Sequence, residues 1–362
     1  MVAVFFLASG EARDALSHTW PPFVLVAGLL AVGVVVEREG LFDGLGHHLS
    51  GLGRSPIAVL SSALMVVAVT TAVLNLDTAA AFLTPVVILA ARRRRLPLEP
   101  FMYGALVMTN AASLLLPGSN LTNLLVLGHE HVSGARFAAR MAPGWVAAVA
   151  ATLLVVAVRW RASLQAAADV TDREGAPRVS WLAAIVVVVT ALLVVATSSP
   201  AIAVAAVGLG AVGVALRRGR LNARAIYDAV DPLVLMGLFG IAVGLGTLAR
   251  TWDGPGRLLG SANRPTTMVV AALATVVINN LPAAALFGAR SIPHPRALLL
   301  GLNLGPNLAV TGSLSAFVWI KAARSVGARP DWRTVTAIGV VLVPLSLAAA
   351  GLATHLLAPS GW

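Results

Sequence analysis

LNLDTAAAFLTPV (residues 74–86) sets Asn75, Asp77 and Thr78 within four residues of an apolar run, and no other ionisable residue lies between Arg54 and Arg92. Whether this run belongs to a bilayer or to a soluble core decides the fold. A carboxylate at the centre of a bilayer costs about 2.5–3.5 kcal/mol on insertion scales, and is kept where it faces a polar cavity or a partner. In a membrane frame, Asp77 is therefore a candidate to bind a proton and a cation alternately. The competing reading is a helix cap, since Asn and Asp cap helix N-termini well and an apolar run begins at residue 79.

Composition settles the frame. The chain has 362 residues, 58% of them hydrophobic and 11% charged, with mean hydropathy +0.87. A soluble domain carries roughly a quarter charged residues. Apolar segments of about 20 residues, the length a spanning helix needs, recur from end to end. No polar stretch is long enough for a separate domain. The reading is an all-α integral membrane protein forming a single polytopic membrane domain over 1–362. The net charge of +11 resides mostly in short loops between apolar runs, as cytoplasmic loops facing anionic lipid require. Nucleic acid is not the expected partner; the lipid bilayer is. There is no cysteine, which excludes disulfides, thiolate metal sites and thiol nucleophiles. MVAVFFLAS lacks a basic region ahead of its apolar residues, so no signal peptide is expected.

Two apolar runs are interrupted. Residues 101–128 are broken at Pro117-Gly118-Ser119-Asn120, and 297–320 at Gly305-Pro306-Asn307 and Thr311-Gly312-Ser313. Breaks of this kind release backbone groups that lipid cannot satisfy, so they line protein-walled cavities. The interruptions recur in order. Ala12-Arg13 and Pro21 match Ala223-Arg224 and Pro232; NLDTAAAFL (75–83) matches NNLPAAALF (279–287); GSN (118–120) is answered by GSL (312–314). The matches define a first repeat over about 12–160, a linker over 161–179 and a second repeat over about 200–357, whose matched part begins at 223. If 56–91 is a hairpin entering and leaving on one side, an odd number of crossings separates Pro21 from Pro232, and the repeats are inverted. The expectation is about 9–11 membrane segments, with one re-entrant hairpin and one broken helix in each repeat. Such a pattern points to a secondary transporter.

Charge orients this topology. Loops assigned to one side hold Arg38, Arg54, Arg92 to Arg95, Arg159, Arg161, Arg173, Arg178, Arg217, Arg218, Arg220, Arg224, Lys321, Arg324, Arg329 and Arg333, which is 18 of the 26 basic residues. The positive-inside rule makes that side cytoplasmic, and the C-terminus falls outside.

Four polar constellations carry the candidate chemistry. They are Asn75, Asp77 and Thr78; Asn110, Ser119, Asn120, Thr122 and Asn123; Asn279 and Asn280; and Asn303, Asn307, Thr311, Ser313 and Ser315. Unwound carbonyls and amide oxygens suit a small cation or a hydroxylated solute, while interhelical hydrogen bonding is the bland alternative. His129-Glu130-His131 offers only a weak metal site, so no metal and no cofactor is expected. The phosphate-loop pattern GxxxxGK[ST] is absent, so the chain carries no ATPase motif of its own.

LNLDTAAAFLTPVVILAARRRR (74–95), NAASLLLPGSNLTNLLVLG (110–128), NNLPAAALFGA (279–289) and LGPNLAVTGSLSAFVWI (304–320), in that order, resemble the bacterial arsenite/antimonite permeases. More broadly they resemble the ion transporter superfamily, which also holds sodium/proton antiporters and citrate and dicarboxylate transporters. The likeness covers roughly 10–357. It implies a non-enzymatic, elevator-type secondary transporter of the cell membrane, with function carried by Asn75, Asp77, Asn279 and Asn280 at the hairpin tips and by Ser119, Asn120, Asn123, Asn307, Gly312 and Ser313 at the breaks. It implies proton-coupled export of trivalent arsenic or antimony hydroxides, in some members together with a soluble ATPase subunit, and it is compatible with a homodimer. One departure is local: Leu76 separates Asn75 from Asp77, where arsenite permeases tend to read Asn-Asp. Three transport readings stand side by side: arsenite or antimonite efflux against protons, sodium/proton or related cation antiport, and citrate or dicarboxylate transport. The last is the least matched, because no arginine or lysine lies within the hairpin tips or breaks. A non-transporting scaffold would have no reason to retain polar groups at such depth.

Overall fold

The computed structural model describes residues 10–51, 55–129, 132–167, 180–197 and 199–358. Every regular element among them is helical. Five helices are long and apolar enough to cross a membrane, over Gly10–Arg38, Pro56–Val73, Gly134–Arg159, Ala223–Thr251 and Trp332–Leu357. Outward faces of these and of the shorter apolar helices Ala201–Arg217 and Arg264–Ile278 carry exposed apolar side chains, among them Leu209, Met236, Val277 and Leu356. Only a lipid surround makes such faces stable.

The elements run in one order twice. The first set begins with α1 (Gly10–Arg38) and a short α2 (Leu41–Gly51). Next come α3 (Pro56–Val73) and α4 (Thr84–Arg93), which form a hairpin, then α5 (Leu98–Ala112) and α6 (Leu121–Val126), two halves of a broken helix, and finally α7 (Gly134–Arg159). Between the sets lie α8 (Trp181–Ala196) and α9 (Ala201–Arg217); residues 168–179 of the expected linker fall outside the described residues. The second set opens with α10 (Ala223–Val230) and α11 (Pro232–Thr251), which stand where α1 does, and a short α12 (Gly254–Gly260). It continues with hairpin helices α13 (Arg264–Ile278) and α14 (Asn280–Phe287), broken-helix halves α15 (Pro295–Leu304) and α16 (Leu314–Ser325), and α17 (Trp332–Leu357).

Local chemistry explains the hairpins. Ser55 caps α3, its Oγ accepting from the Ala58 N–H at 3.3 Å, and Pro56 follows at the helix start. Proline is tolerated there because its missing N–H would be unpaired anyway. The chain turns after Leu74 and restarts at Asn75, which is extended and caps the turn Leu76–Thr78 through Oδ1. A π-helical segment, Ala79–Leu83, then feeds into α4. The apolar run at 79–91, short for a span when read alone, is thus extended to Leu76–Arg93 by one capped turn and a π segment. In the second hairpin the turn falls on Asn279, at φ 72° and ψ 154°. That region is nearly glycine-only, and strain of this kind persists where the surroundings hold it.

Each hairpin packs on two broken helices. Within its own half, α3 lies against α5 and α13 against α15. Across the halves, the Ala79–Leu83 segment meets α16, and α14 meets α6. Small residues allow the closest approaches. A Cβ on Gly305 would stand 2.5 Å from the Ala272 Cα, and one on Gly339 would stand 2.2 Å from the Asn307 carbonyl oxygen.

The breaks are closed by side chains. The first disrupts the helix after Ala112, with a 3₁₀ turn at Pro117–Ser119. The Ala112 carbonyl accepts from Trp145 Nε1 at 3.0 Å, and the Ser113 carbonyl accepts from Ser119 Oγ at 2.6 Å and Asn123 Nδ2 at 2.8 Å. The second break runs through 3₁₀ turns at Gly305–Leu308 and Val310–Gly312. Asn303 joins the two breaks. Its Nδ2 donates to Asn123 Oδ1 and to the Leu299 carbonyl, both at 2.8 Å, and its Oδ1 accepts from Ser113 Oγ at 2.6 Å and Asn120 Nδ2 at 2.7 Å. All four of its hydrogen-bonding positions are filled. Asn110 Nδ2 donates to Asn307 Oδ1 at 2.8 Å, and Asn307 Nδ2 to the Val107 carbonyl at 3.1 Å. Trp319 adds a third tie, from Nε1 to the Met102 carbonyl at 2.8 Å.

Removing one member of such a set strands its partners in the interior, each at about 1–3 kcal/mol. Asn303→Ala is expected to lower the thermal midpoint of the detergent-solubilised protein well below that of Ser346→Ala, whose hydroxyl bonds only within its own helix. Equal midpoints for the two variants would remove the bracing role.

Candidate functional site

Four helix starts meet in the interior. They are Leu76, capped by Asn75; Leu121, capped by Asn120; Asn280, capped by Asn279; and Leu314, preceded by Ser313. Between them lies a cavity of about 30 Å³, lined by Leu76, Asp77, Asn120, Leu121, Thr122, Leu238, Asn280, Leu281, Ser313, Leu314 and Ser315. That is room for about one water molecule. Both hairpin tips and both breaks therefore contribute to a single site, and α11 closes it through Leu238.

The lining is nearly two-fold in its chemistry. Leu76 and Asp77 at one tip face Asn280 and Leu281 at the other, while Asn120-Leu121-Thr122 answers Ser313-Leu314-Ser315. The caps set Asn120 opposite Ser313, so the GSN and GSL matches are one residue out of structural register. Asp77 is the one ionisable side chain among the described lining residues. Its carboxylate takes part in none of the hydrogen bonds or ion pairs formed among the described residues, and neither arginine nor lysine lines the cavity. Helix starts bring partial positive charge, which favours a carboxylate or other electron-rich oxygens. Ser313 and Ser315 hydroxyls lie 2.7 Å apart. Thr122 is buried with its hydroxyl unpartnered.

The residues singled out from the sequence divide into two groups. Asp77, Asn120, Thr122, Asn280, Ser313 and Ser315 reach the cavity. The others hold its walls. Asn75 Oδ1 accepts from the Thr78 N–H at 2.6 Å, and Asn279 caps through Oδ1 while its Nδ2 donates to the Thr311 carbonyl at 3.0 Å. Thr311 is itself exposed, its hydroxyl donating to the Val276 carbonyl at 3.3 Å. Thr78 is buried against α1, where a Cβ on Gly33 would meet its Cγ2 at 2.7 Å. Ser119, Asn123, Asn110 and Asn307 belong to the brace between the breaks. Leu238 was missed because nothing in its own neighbourhood marks it; only packing brings α11 over the cavity. Glu130 and His131 of the weak metal motif lie outside the described residues. Among the described residues no group of three His, Asp or Glu is arranged to hold a metal ion.

Known proteins agree with this architecture. The family model described as CitMHS, citrate transporter, matches residues 1–304. An arsenical pump membrane protein of Yersinia enterocolitica is 26% identical over 370 residues, covering 92% of this chain and 85% of its own. The inner membrane protein YbiR of Escherichia coli K12 is 27% identical, covering 88% of this chain and 84% of its own. In structure, the YdaH transporter of Alcanivorax borkumensis, described as having an unusual topology, superposes with TM-score 0.59 at 16% identity over 96% of this chain and 89% of that one. The last likeness concerns fold alone. Interrupted helices, hairpin tips gathered at one buried site and the match over most of the chain lead to one conclusion: this is a multi-pass membrane transporter belonging to the CitMHS citrate transporter family, within the ion transporter superfamily.

Proposed function

We propose that the chain exports arsenite or antimonite across the cell membrane in exchange for protons, with Asp77 as the coupling group. One observation carries this reading: the buried meeting point of both tips and both breaks holds one carboxylate and no arginine or lysine. A neutral trihydroxide of arsenic or antimony asks for amide and hydroxyl partners, which Asn120, Asn280, Thr122, Ser313 and Ser315 offer. Asp77 without a cationic partner is free to exchange a proton with the transport cycle. The similarity to arsenical pump membrane proteins points the same way.

Within this reading the two sets of elements are inverted repeats. The basic loops face the cytoplasm, the C-terminus lies outside, and the hairpin tips move with the breaks as one body. A soluble ATPase subunit and a homodimer are compatible partners. Two other readings have an observation in their favour. Four helix starts around one cavity would also favour a carboxylate substrate, as the family's description suggests. The lone Asp77 would serve equally in sodium/proton antiport.

Two measurements test the site, and a third separates these readings. Asp77→Asn is expected to abolish proton-coupled flux in proteoliposomes while the protein still reaches the membrane and folds; unchanged coupled flux would end the role of Asp77. Asn280→Ala removes an amide that makes no hydrogen bond among the described residues, so it should lower kcat/KM about tenfold and leave the thermal midpoint nearly unchanged; a stability loss with normal kinetics would make Asn280 structural. Expression in an arsenite-efflux-deficient host should raise arsenite tolerance. Tolerance at the empty-vector level despite good expression would transfer the assignment to cation antiport or carboxylate transport.

A further inference from the structure

A cleft with several basic side chains lies away from the central cavity. It has a volume of about 320 Å³ and opens between the start of α13, the loop before α15 and the end of α17. Arg264 is the first residue of α13, Arg296 sits in the first turn of α15, and His355 is in the last turn of α17. Arg264 Nη1 donates to His355 Nδ1 at 2.7 Å, and His294 lines the same cleft. Arg264 and Arg140 are the charges that bear on Arg296. Arg140 Nη1 is itself buried with no hydrogen-bond partner among the described residues. No Asp or Glu is among the described residues lining the cleft. Arg264 and Arg296 thus bring two guanidinium groups to one cleft, a donor set that suits an anion.

The floor has the opposite character. Met268, Ala297, Leu300 and Gly351 form it, about one helical turn inward from the cations. Beside them, Val269, Leu352 and Leu356 are 50%, 60% and 67% exposed on the lipid-facing surface. Two guanidinium groups at helix ends, next to apolar side chains, match an anionic headgroup on an acyl stem. Guanidinium forks bind phosphate oxygens in a bidentate manner. None of these residues reaches the central cavity or contributes to the cross-brace of the breaks.

We propose that this cleft binds a phosphate-bearing anion, held between Arg264 and Arg296, with a phospholipid headgroup as its source. The proposal is independent of which solute the central site carries.

The test uses the purified full-length chain in a neutral detergent, probed by native mass spectrometry with phosphatidylglycerol, with diacylglycerol lacking the phosphate, and with inorganic phosphate. Wild type should retain phosphatidylglycerol but not diacylglycerol, and Arg264→Gln/Arg296→Gln should weaken retention about tenfold or more. Arg264→Gln alone, at an exposed position, keeps the comparison valid if the double variant folds poorly. Saturable phosphate binding that the same substitutions remove would support the site with free phosphate as the source. Failure of both phosphate-bearing probes to bind, or binding of equal strength to wild type and variants, would overturn it.

Discussion

A helix broken inside a bilayer must find partners for the backbone groups it releases, and the whole architecture follows from how that demand is met. Lipid offers no donors or acceptors. Here the partners are side chains from the two broken helices themselves. Asn303, on the second, binds Ser113, Asn120 and Asn123 on the first. Asn307 answers Asn110. The freed carbonyls of Ala112, Ser113 and Leu116 are taken up by Trp145, Ser119 and Asn123. The first break thus closes its own carbonyls, and the asparagine bonds then lock the two breaks to each other.

That lock positions the site. Once the breaks are locked back to back, the helix starts at Leu121 and Leu314 are fixed, and each packs against the hairpin of the opposite half. The tips at Asn75 and Asn279 then have one place to end. The caps differ in strain: Asn75 is extended, whereas Asn279 is held at positive φ by its bond to the Thr311 carbonyl. The strained turn lies on the half without a carboxylate. The charge and the strain thus fall on opposite tips of an otherwise matched pair.

Fold class was legible because it rests on composition and on interruptions, both local in the chain. The second broken helix stops at Leu304, where Gly305-Pro306 predicts, whereas the first stops at Ala112, ahead of the Pro117-Gly118 signal. Asp77 was legible for the same reason, as a charge with no neighbours. What could not be read was the division of labour among the asparagines. Asn120 and Asn123 lie three residues apart in one motif and both bond Asn303, yet Asn120 also lines the cavity while Asn123 does not. Asn303, the centre of the brace, looked no different from Asn307. These roles depend on which side chain of a distant segment arrives opposite, and packing alone supplies that. Leu238 and the one-residue offset between Asn120 and Ser313 were hidden for the same physical reason.

The distribution of unfilled polar groups sharpens the contrast between scaffold and site. The amides of the brace are close to saturated, and Asn303 has no capacity left. The buried groups without partners in the membrane interior include Asn75 Nδ2 and the hydroxyls of Thr78, Thr84 and Thr122, together with Asn110 Oδ1. All of these lie in the first half, on the first tip, on the first break or immediately beside them. An unpaired polar group in a dry interior costs about 1–3 kcal/mol, so several on one side make a costly surface. Of these groups Thr122 alone lines the cavity, beside Asp77, and the second half answers with the amide of Asn280, which makes no hydrogen bond among the described residues. Open hydrogen-bonding capacity at the site therefore comes from both halves, and the inequality between the matched tips rests on the carboxylate.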